Sequence, residues 1–593
     1  MKTIFYIAIY LLFTYIFAAA TPLKRRTEFQ LKQALSSCPD QWTRVATPSP
    51  DYTLQLHIGL KKNRPNELVD QLHKISDPDH ELYGNYLSTK EIRKLIEPSD
   101  ESIMLVKEWL AMNGFNEKDV SFSSNRDWMY INAPMDVVQD ILKTEYHVFK
   151  HDNGLDEIVR ALSYSLPEYL HDHIDVIHPT TYFSINRRQP TKFNNEMQTL
   201  QRRTSSVVNS DIETIPVNIF RTFYKTIDYV PKATEKNIFA VMGFDNEVAI
   251  RTDLQLYLAD ERPDAVGADF NDVLINGGEN NQSIPVGSLG EEGNLDIQTA
   301  FGVTYPTPIE FISVGGSPPF NPEYPFQANS NEPYLQMIEY FLSLPDDKLP
   351  RTITISYADT EQTVPLDYAK RVCDGFAQIG LRGVSILSGS GDYGVGGSGE
   401  ECVTYDEKNS TAFLPTFPAS CPYVTSVGAT RNFYPEVAEY GDFYGGGGFS
   451  NYFSRPEYQN EVVSKYLDEI GDLHQGLYNS SGRGVPDVAA QGHKFKIYWK
   501  ALPIGIGGTS AATPLFSSIV ALLNDHLLSE NKKPLGFLNP FLYKKGYQGL
   551  NDILQGASEG CNTTGFPAKS GWDAVTGLGT PDFQKLLHLV DSA

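Results

Sequence analysis

From about residue 210 the chain is predicted to fold as an α/β domain with a doubly wound parallel sheet. Two observations predict it. Short apolar runs recur at 237–242, 310–314, 352–356, 383–387 and 423–427, each of strand length. Helix-like stretches, 295–301, 333–344 and 366–379, alternate with them. Buried strands alternating with helices build a parallel sheet covered on both faces. Such sheets gather their reactive groups beyond the carboxyl ends of the strands.

At 593 residues the chain is too long for one ordinary domain. Its formal charge of −24 is uneven. Residues 1–203 hold 24 Lys+Arg against 26 Asp+Glu, and residues 204–593 hold 25 against 47. That acidity argues against nucleic acid and anionic membranes as partners, and it suits work at low pH. Met1-Lys2, an apolar run from Ile4 to Phe17 and Ala18-Ala19-Ala20 read as a secretory signal over residues 1–20. The run is short for a membrane span, so a soluble exported protein without a stable anchor is expected, outside the cell or in a vacuole. Cys38 lies in the first region. Cys373, Cys402, Cys421 and Cys561 leave two bridges with three possible pairings. Asn281, Asn409, Asn479 and Asn562 each begin an Asn-x-Ser/Thr sequon.

Residues 21–185 form a separate α+β unit. Strands are expected at 52–60 and 128–132, and helices at 66–75, 90–96, 101–114 and 135–142. Residues 186–209 are polar, aperiodic and contain Arg187-Arg188 and Arg202-Arg203. They read as an exposed linker open to proteolytic cutting. A removable first domain suits a second domain, 210–593, that stays silent until export.

Gly507-Gly508-Thr509-Ser510 leads into an apolar helix from Leu515 to Leu528. Ser510 therefore sits at a helix start, where free N–H groups favour negative charge. A serine nucleophile ordinarily needs an imidazole base, yet no histidine occurs between 179 and 473. Glu292 and Asp296 offer an alternative, being i and i+4 on one helix face. Two carboxyls held together share a proton, which suits a base at acid pH. Glu291 points elsewhere. Asp392, in Ser388-Gly389-Ser390-Gly391-Asp392 after a buried strand, can face the cleft and, when protonated, donate to an oxyanion.

These three motifs in this order resemble the sedolisin family of serine-carboxyl peptidases. So do Ser356-Tyr357-Ala358-Asp359, Gly445 to Ser450 and Gly482 to Ala490. The likeness covers nearly everything after the signal and is strongest to secreted fungal tripeptidyl-peptidases. It implies a subtilisin-like fold with a Ser510–Glu292–Asp296 triad and Asp392 as oxyanion donor. It also implies a propeptide that inhibits and assists folding, and one structural Ca2+. The ion would be held by the side chains of Asp552 and Asp573 and the carbonyls of Ile553, Lys569 and Gly571. Where many members carry Ser-Trp-Gly, this chain has Ser356-Tyr357-Ala358. The implied activity is acid-active release of tripeptides from free polypeptide N-termini by a monomer; acidic endopeptidase action is the alternative. A carboxylate-pair glycosidase leaves Ser510 idle, and a binding protein on a dead scaffold leaves four filled catalytic positions unexplained.

Overall fold

The computed structural model describes residues 28–592 except 36–37, 39–41, 50, 63–64, 124–125, 152–156, 182, 184–213, 284, 317, 319, 321–328, 398–401 and 405–409. The expected signal peptide, the linker with its basic pairs and the Asn409 sequon lie outside the described residues.

The chain divides into two units. The first comprises the described residues of Met1–Lys61, Pro98–His151 and Glu157–Thr181. Its main sheet is antiparallel, in the order Val120–Phe122, Trp128–Pro134, Thr53–Leu60, Ile174–His178. Alternation sends Leu54, Leu56 and Ile58 to one face. There they meet Val106 and Trp109 of helix Asp100–Met112 and Val138 and Ile141 of helix Met135–Leu142. The Ser99 hydroxyl accepts from the Ser102 N–H and starts the first of these helices.

The second unit comprises the described residues of Lys62–Glu97 and Tyr182–Ala593. Its eight-stranded sheet contains β1 (Phe239–Gly243), β2 (Asn271–Ile275), β3 (Ile309–Val314), β4 (Thr352–Ile355), β5 (Ser385–Gly389), β6 (Thr425–Arg431), β7 (Val437–Ala438) and β8 (Val488–Gln491). The order is β2-β3-β1-β4-β5-β6-β7, with β8 also paired to β6. All pairings are parallel except β6 with β7. Later strands flank β1 on both sides, so the order reverses there, and a crevice opens beyond the strand ends. Helices α3 (Glu291–Thr304), α4 (Leu366–Leu381) and α5 (Thr509–Ser529) pack on the sheet, and α1 (Pro65–Ser76) and α2 (Thr89–Ile96) pack against α4. Among the described residues only α5 is long and apolar enough to cross a membrane, and it is a core helix packed on α3 and the sheet.

The four cysteines pair as Cys373–Cys421 and Cys402–Cys561. The first bridge ties α4 to the segment before β6. Among the sequons, Asn281 and Asn562 are exposed. The Asn479 side-chain nitrogen, the atom a glycan would take, instead donates to the Ser450 carbonyl at 3.0 Å.

Helices α1 and α2, read from sequence as part of the first region, belong to the second unit. Their apolar faces, Leu68, Leu72, Ile75, Ile92 and Ile96, share a core with Ala377 and Leu381 of α4 and with Phe537.

Candidate active site

Ser510 stands in the first turn of α5, after Gly508 at φ +144°. Its N–H has no intrahelical acceptor at that position. Pro514, four residues on, lacks the N–H that would bond the Ser510 carbonyl. The Ser356 hydroxyl, just past the end of β4, lies 3.2 Å from that carbonyl and 2.8 Å from Asp296 Oδ1. One hydroxyl hydrogen cannot serve both at full strength. The shorter bond is the one to Asp296, so Ser356 Oγ donates chiefly there and holds the Ser510 carbonyl more weakly. The Ser510 hydroxyl donates to the Ser356 carbonyl at 3.2 Å, so segment 356–359 flanks the nucleophile.

Glu292 and Asp296 share one face of α3, as their spacing requires. Burial raises the Glu292 carboxyl well above the ordinary range, and the charges of Asp296, Glu247 and Asp392 push the same way. A hydrogen bond from the Ser510 hydroxyl opposes them by favouring the ionised form. Burial also raises Asp296, with the Ser356 hydrogen bond opposing and Glu247 adding to the rise. Glu292 Oε1 and Asp296 Oδ2 are buried and receive no protein hydrogen. Both acids are raised and each keeps one unsatisfied oxygen, the setting in which two carboxyls do not ionise together.

Glu247, one turn of chain beyond β1, completes the acidic group. Its carboxylate accepts from the N–H of Gly290 at 2.8 Å and of Gly293 at 3.2 Å, capping α3. Gly293 is required there, since a Cβ would sit 2.3 Å from the Val248 carbonyl oxygen. Burial lifts Glu247 to about 7, against those two N–H groups.

Asp392 lies beyond the end of β5, across the strand ends from α3. Its Oδ1 accepts from the Thr509 N–H at 2.7 Å and the Thr509 hydroxyl at 2.8 Å. Its Oδ2 faces Gly508, where a Cβ would approach within 2.9 Å. Burial raises the Asp392 carboxyl, the Thr509 bonds resist, and Glu439 adds to the rise. With Oδ1 committed to accepting, Oδ2, beside Gly508, is the oxygen left to carry a proton.

No imidazole enters this group. His474 bonds the Gly565 carbonyl and packs on Phe413 and Phe566. His493 lies between Glu439, Asp442 and Arg431. Glu291 faces Lys500 rather than Ser510, and burial lifts it to about 7.

Residues 40–183 match the Pro-kumamolisin activation domain. Tripeptidyl-peptidase SED2 of Arthroderma otae is 36% identical over 97% of this chain and 98% of its own length. A probable tripeptidyl-peptidase SED3 of Arthroderma benhamiae is 37% identical over 97% and 98%. This chain belongs to the sedolisin family. Among solved structures, a Pseudomonas sedolisin, a serine-carboxyl proteinase with bound pseudo-iodotyrostatin, aligns with TM-score 0.48 at 21% identity, over 65% of this chain and 99% of that one.

In this sedolisin the two carboxylates expected to hold calcium, Asp552 and Asp573, each bond the backbone of another residue of that set. Asp552 Oδ2 accepts from the Gly571 N–H at 2.9 Å, and Asp573 Oδ2 from the Lys569 N–H at 2.9 Å. Asp573 is fully buried. The carbonyls of Ile553, Lys569 and Gly571 accept no hydrogen bond among the described residues. Two carboxylates and three uncommitted carbonyls are the donor set a hard oxygen-seeking cation takes, so the residues fit Ca2+. A second acidic group, Glu439, Asp442 and His493, brings three ligand atoms within 4.8 Å of one another. There the Arg431 guanidinium already lies 3.3 Å from Glu439 and 3.2 Å from His493 Nε2. That cation supplies the charge an ion would bring.

Sequence reasoning missed Glu247 and a further trio, Asp245, Glu332 and Asp359. Glu332 accepts from the Tyr334 hydroxyl at 3.0 Å, and its N–H donates to Asp359 Oδ2 at 3.3 Å. Burial raises all three carboxyls; Glu332 adds to the rise of Asp245 and Asp359 and Asp245 to that of Asp359, the hydrogen bond to Asp359 opposes the rise of Glu332, and no lysine or arginine contributes. Spread over 115 positions, they carry no local signal beyond Asp359 itself, which closes the Ser356-Tyr357-Ala358-Asp359 motif.

Proposed function

We propose that this sedolisin is an exported tripeptidyl-peptidase that acts in acid and is made as a precursor. Residues 1–20 are its signal, 21–185 its propeptide, 186–209 the region of the maturing cut and 210–593 the enzyme. One observation carries the chemistry: the Ser510 hydroxyl has carboxyl groups, not imidazole, for neighbours. Ser510 Oγ attacks the scissile carbonyl and Glu292 takes its proton. Asp296 steadies Glu292 through their shared proton and through Ser356. Protonated Asp392 and the Ser510 N–H hold the tetrahedral oxyanion. Glu292 returns its proton to the leaving amine, and water then attacks the acyl-enzyme with Glu292 again as base.

The acid trio supports release of tripeptides. Extended backbone advances about 3.3 Å per residue, so Ser356 to Asp359 spans about 10 Å, the length of a tripeptide. A substrate laid along this segment with its third carbonyl at Ser510 brings its α-ammonium to Asp359, Glu332 and Asp245. That ammonium is the cation the three acids lack. The deciding experiment is mass spectrometry of products from one polypeptide with a free and an acetylated N-terminus, at pH about 4, near the carboxyl pKa. Tripeptides from the free form alone are expected; internal cuts in both forms indicate an endopeptidase. Asp359→Asn is expected to lower kcat/KM for the free form by about 10–100-fold, the worth of a charged hydrogen bond.

Asp552, Asp573 and the carbonyls of Ile553, Lys569 and Gly571 hold one Ca2+, whose role is to tie the C-terminal loop together. Calcium at about a hundred times its Kd stabilises the fold by about 3 kcal/mol. A chelator is therefore expected to lower the Tm of the mature enzyme by several degrees. Asp573→Asn is expected to lower it similarly and to remove the response to chelator. A Tm unmoved by chelator in the native sequence contradicts the site.

A further inference from the structure

One strand edge beside the nucleophile stands open. β9 (Phe495–Trp499) and β10 (Leu502–Ile506) form an antiparallel hairpin. Lys500 (φ +52°) and Ala501 (φ +62°) make its two-residue turn, with positive φ at both positions as a tight hairpin turn requires. Asp253 accepts from both of their N–H groups, at 3.0 and 2.8 Å. The Trp499 indole N–H donates to the Leu289 carbonyl at 3.0 Å, and Lys500 Nζ to the Gly287 carbonyl at 2.6 Å. The tip is thereby fixed to the segment that leads into α3.

The turn decides which backbone groups face which way. Trp499 and Leu502 close it as a pair, so Leu502, Ile504 and Ile506 face β9 and the residues between them face away. Neighbouring bonds agree with this alternation. The Tyr498 N–H donates to Gln298, and its carbonyl accepts from Asn294 and Gln298. The Lys496 N–H donates to the Ile215 carbonyl, and the Ile215 N–H to the Lys494 carbonyl. Beyond β10, the Gly508 N–H donates to the Gly492 carbonyl. The far side of β9 is thus taken. On the far side of β10, the main-chain groups of Gly505 and Gly507 have no partner among the described residues, and both glycines are exposed. Pro503, the next position outward, has no N–H to offer. The open edge is therefore confined to the stretch beside Ser510.

Direction decides what can pair there. β10 runs toward Ser510, so a chain leaving Ser510 along this edge runs antiparallel to it. A polypeptide whose first three residues lie along 356–359 has its remainder leaving in that sense. Main-chain pairing at a strand edge binds without regard to side chains. That suits an enzyme which shortens a chain by three residues at a time and meets a new sequence after each cut.

We propose that the Gly505–Gly507 edge binds the substrate beyond the scissile bond, as an added antiparallel strand. The ligand is an extended polypeptide held through its own N–H and C=O groups. The proposal rests on the tripeptidyl-peptidase reading above.

The test uses the mature enzyme and a peptide of about ten residues with a free N-terminus. Its fifth to eighth residues are N-methylated one at a time, which removes one main-chain donor in each copy. A strand edge bonds every second residue. Methylation is therefore expected to lower kcat/KM about fivefold or more at alternate positions, the worth of one neutral hydrogen bond, and to have little effect between them. The second arm compares this peptide with a tripeptidyl anilide, which has no leaving chain. Gly505→Pro removes the outward N–H at a position where an edge strand tolerates proline. It is expected to lower the ratio of kcat/KM for the peptide to that for the anilide about fivefold. Gly505→Ala, which keeps the N–H, is expected to keep the native ratio. Methylation without alternation, or a native ratio in Gly505→Pro, overturns the proposal while the tripeptide reading stands. A mature enzyme that dimerises along this edge, with no alternation, overturns it in the same way. Failure to release a tripeptide from the unmethylated peptide overturns the functional reading and the proposal with it.

Discussion

Replacing Glu292 by Gln lowers kcat for peptide hydrolysis by about 10³–10⁴-fold with little change in KM. General-base transfer is worth about 10²–10⁴-fold, and here no second base stands by. His474 and His493 are committed elsewhere, to the Gly565 carbonyl and to the Glu439–Arg431 cluster. Asp296 is tied to Ser356. The amide of Gln fits the same space and still bonds the Ser510 hydroxyl, but it cannot take a proton. Because the interaction acts in the transition state, the loss falls on kcat rather than KM. Steady-state kinetics on a free-N-terminus peptide, with circular dichroism to confirm folding, measures it. The pH sign follows from the shift. Burial and Asp296 raise the Glu292 carboxyl, so the base ionises, and activity rises, only as pH climbs through that raised value.

Asp392 sets the other limb. Its protonated form donates to the oxyanion, and its ionised form repels it. Burial and Glu439 raise its carboxyl against the Thr509 bonds, so it holds its proton to higher pH than an ordinary aspartate, and activity falls as pH climbs past its raised value. Asp392→Ala is expected to cost about 10²–10³-fold in kcat, the worth of one oxyanion donor. Asp392→Asn gives the sharper result. The Asn carbonyl still accepts from the Thr509 N–H and hydroxyl, and its amide donates at every pH. The alkaline limb is therefore expected to move to higher pH, while the Ala variant is slow throughout. An Asn variant with the native alkaline limb would show that Asp392 is not the group that titrates there.

Much of this site is legible in the sequence because backbone constraints mark it. Gly508 must leave room for Asp392, and Pro514 frees the Ser510 carbonyl for Ser356. Both leave a residue type at a fixed offset from the nucleophile. The Glu292–Asp296 pair follows from helical spacing alone. Strands β1, β3, β4, β5 and β6 stand out because burial on both faces makes them continuous apolar runs. Glu247 does not stand out, since its role depends on the end of β1 meeting the start of α3. The hairpin of Phe495–Trp499 with Leu502–Ile506 is masked by lysines and a proline. Helices α1 and α2 are readable from their periodicity. What they pack on is not, because an amphipathic face does not say which apolar surface covers it.

The most direct test of a glutamate in place of imidazole is the pH dependence of kcat/KM for the native enzyme and for His474→Ala, His493→Ala and Glu292→Gln. The expected result is one acid limb, retained in both histidine variants, with turnover lost in Glu292→Gln. Loss of turnover in either histidine variant, or a Glu292→Gln enzyme within tenfold of native, would contradict it.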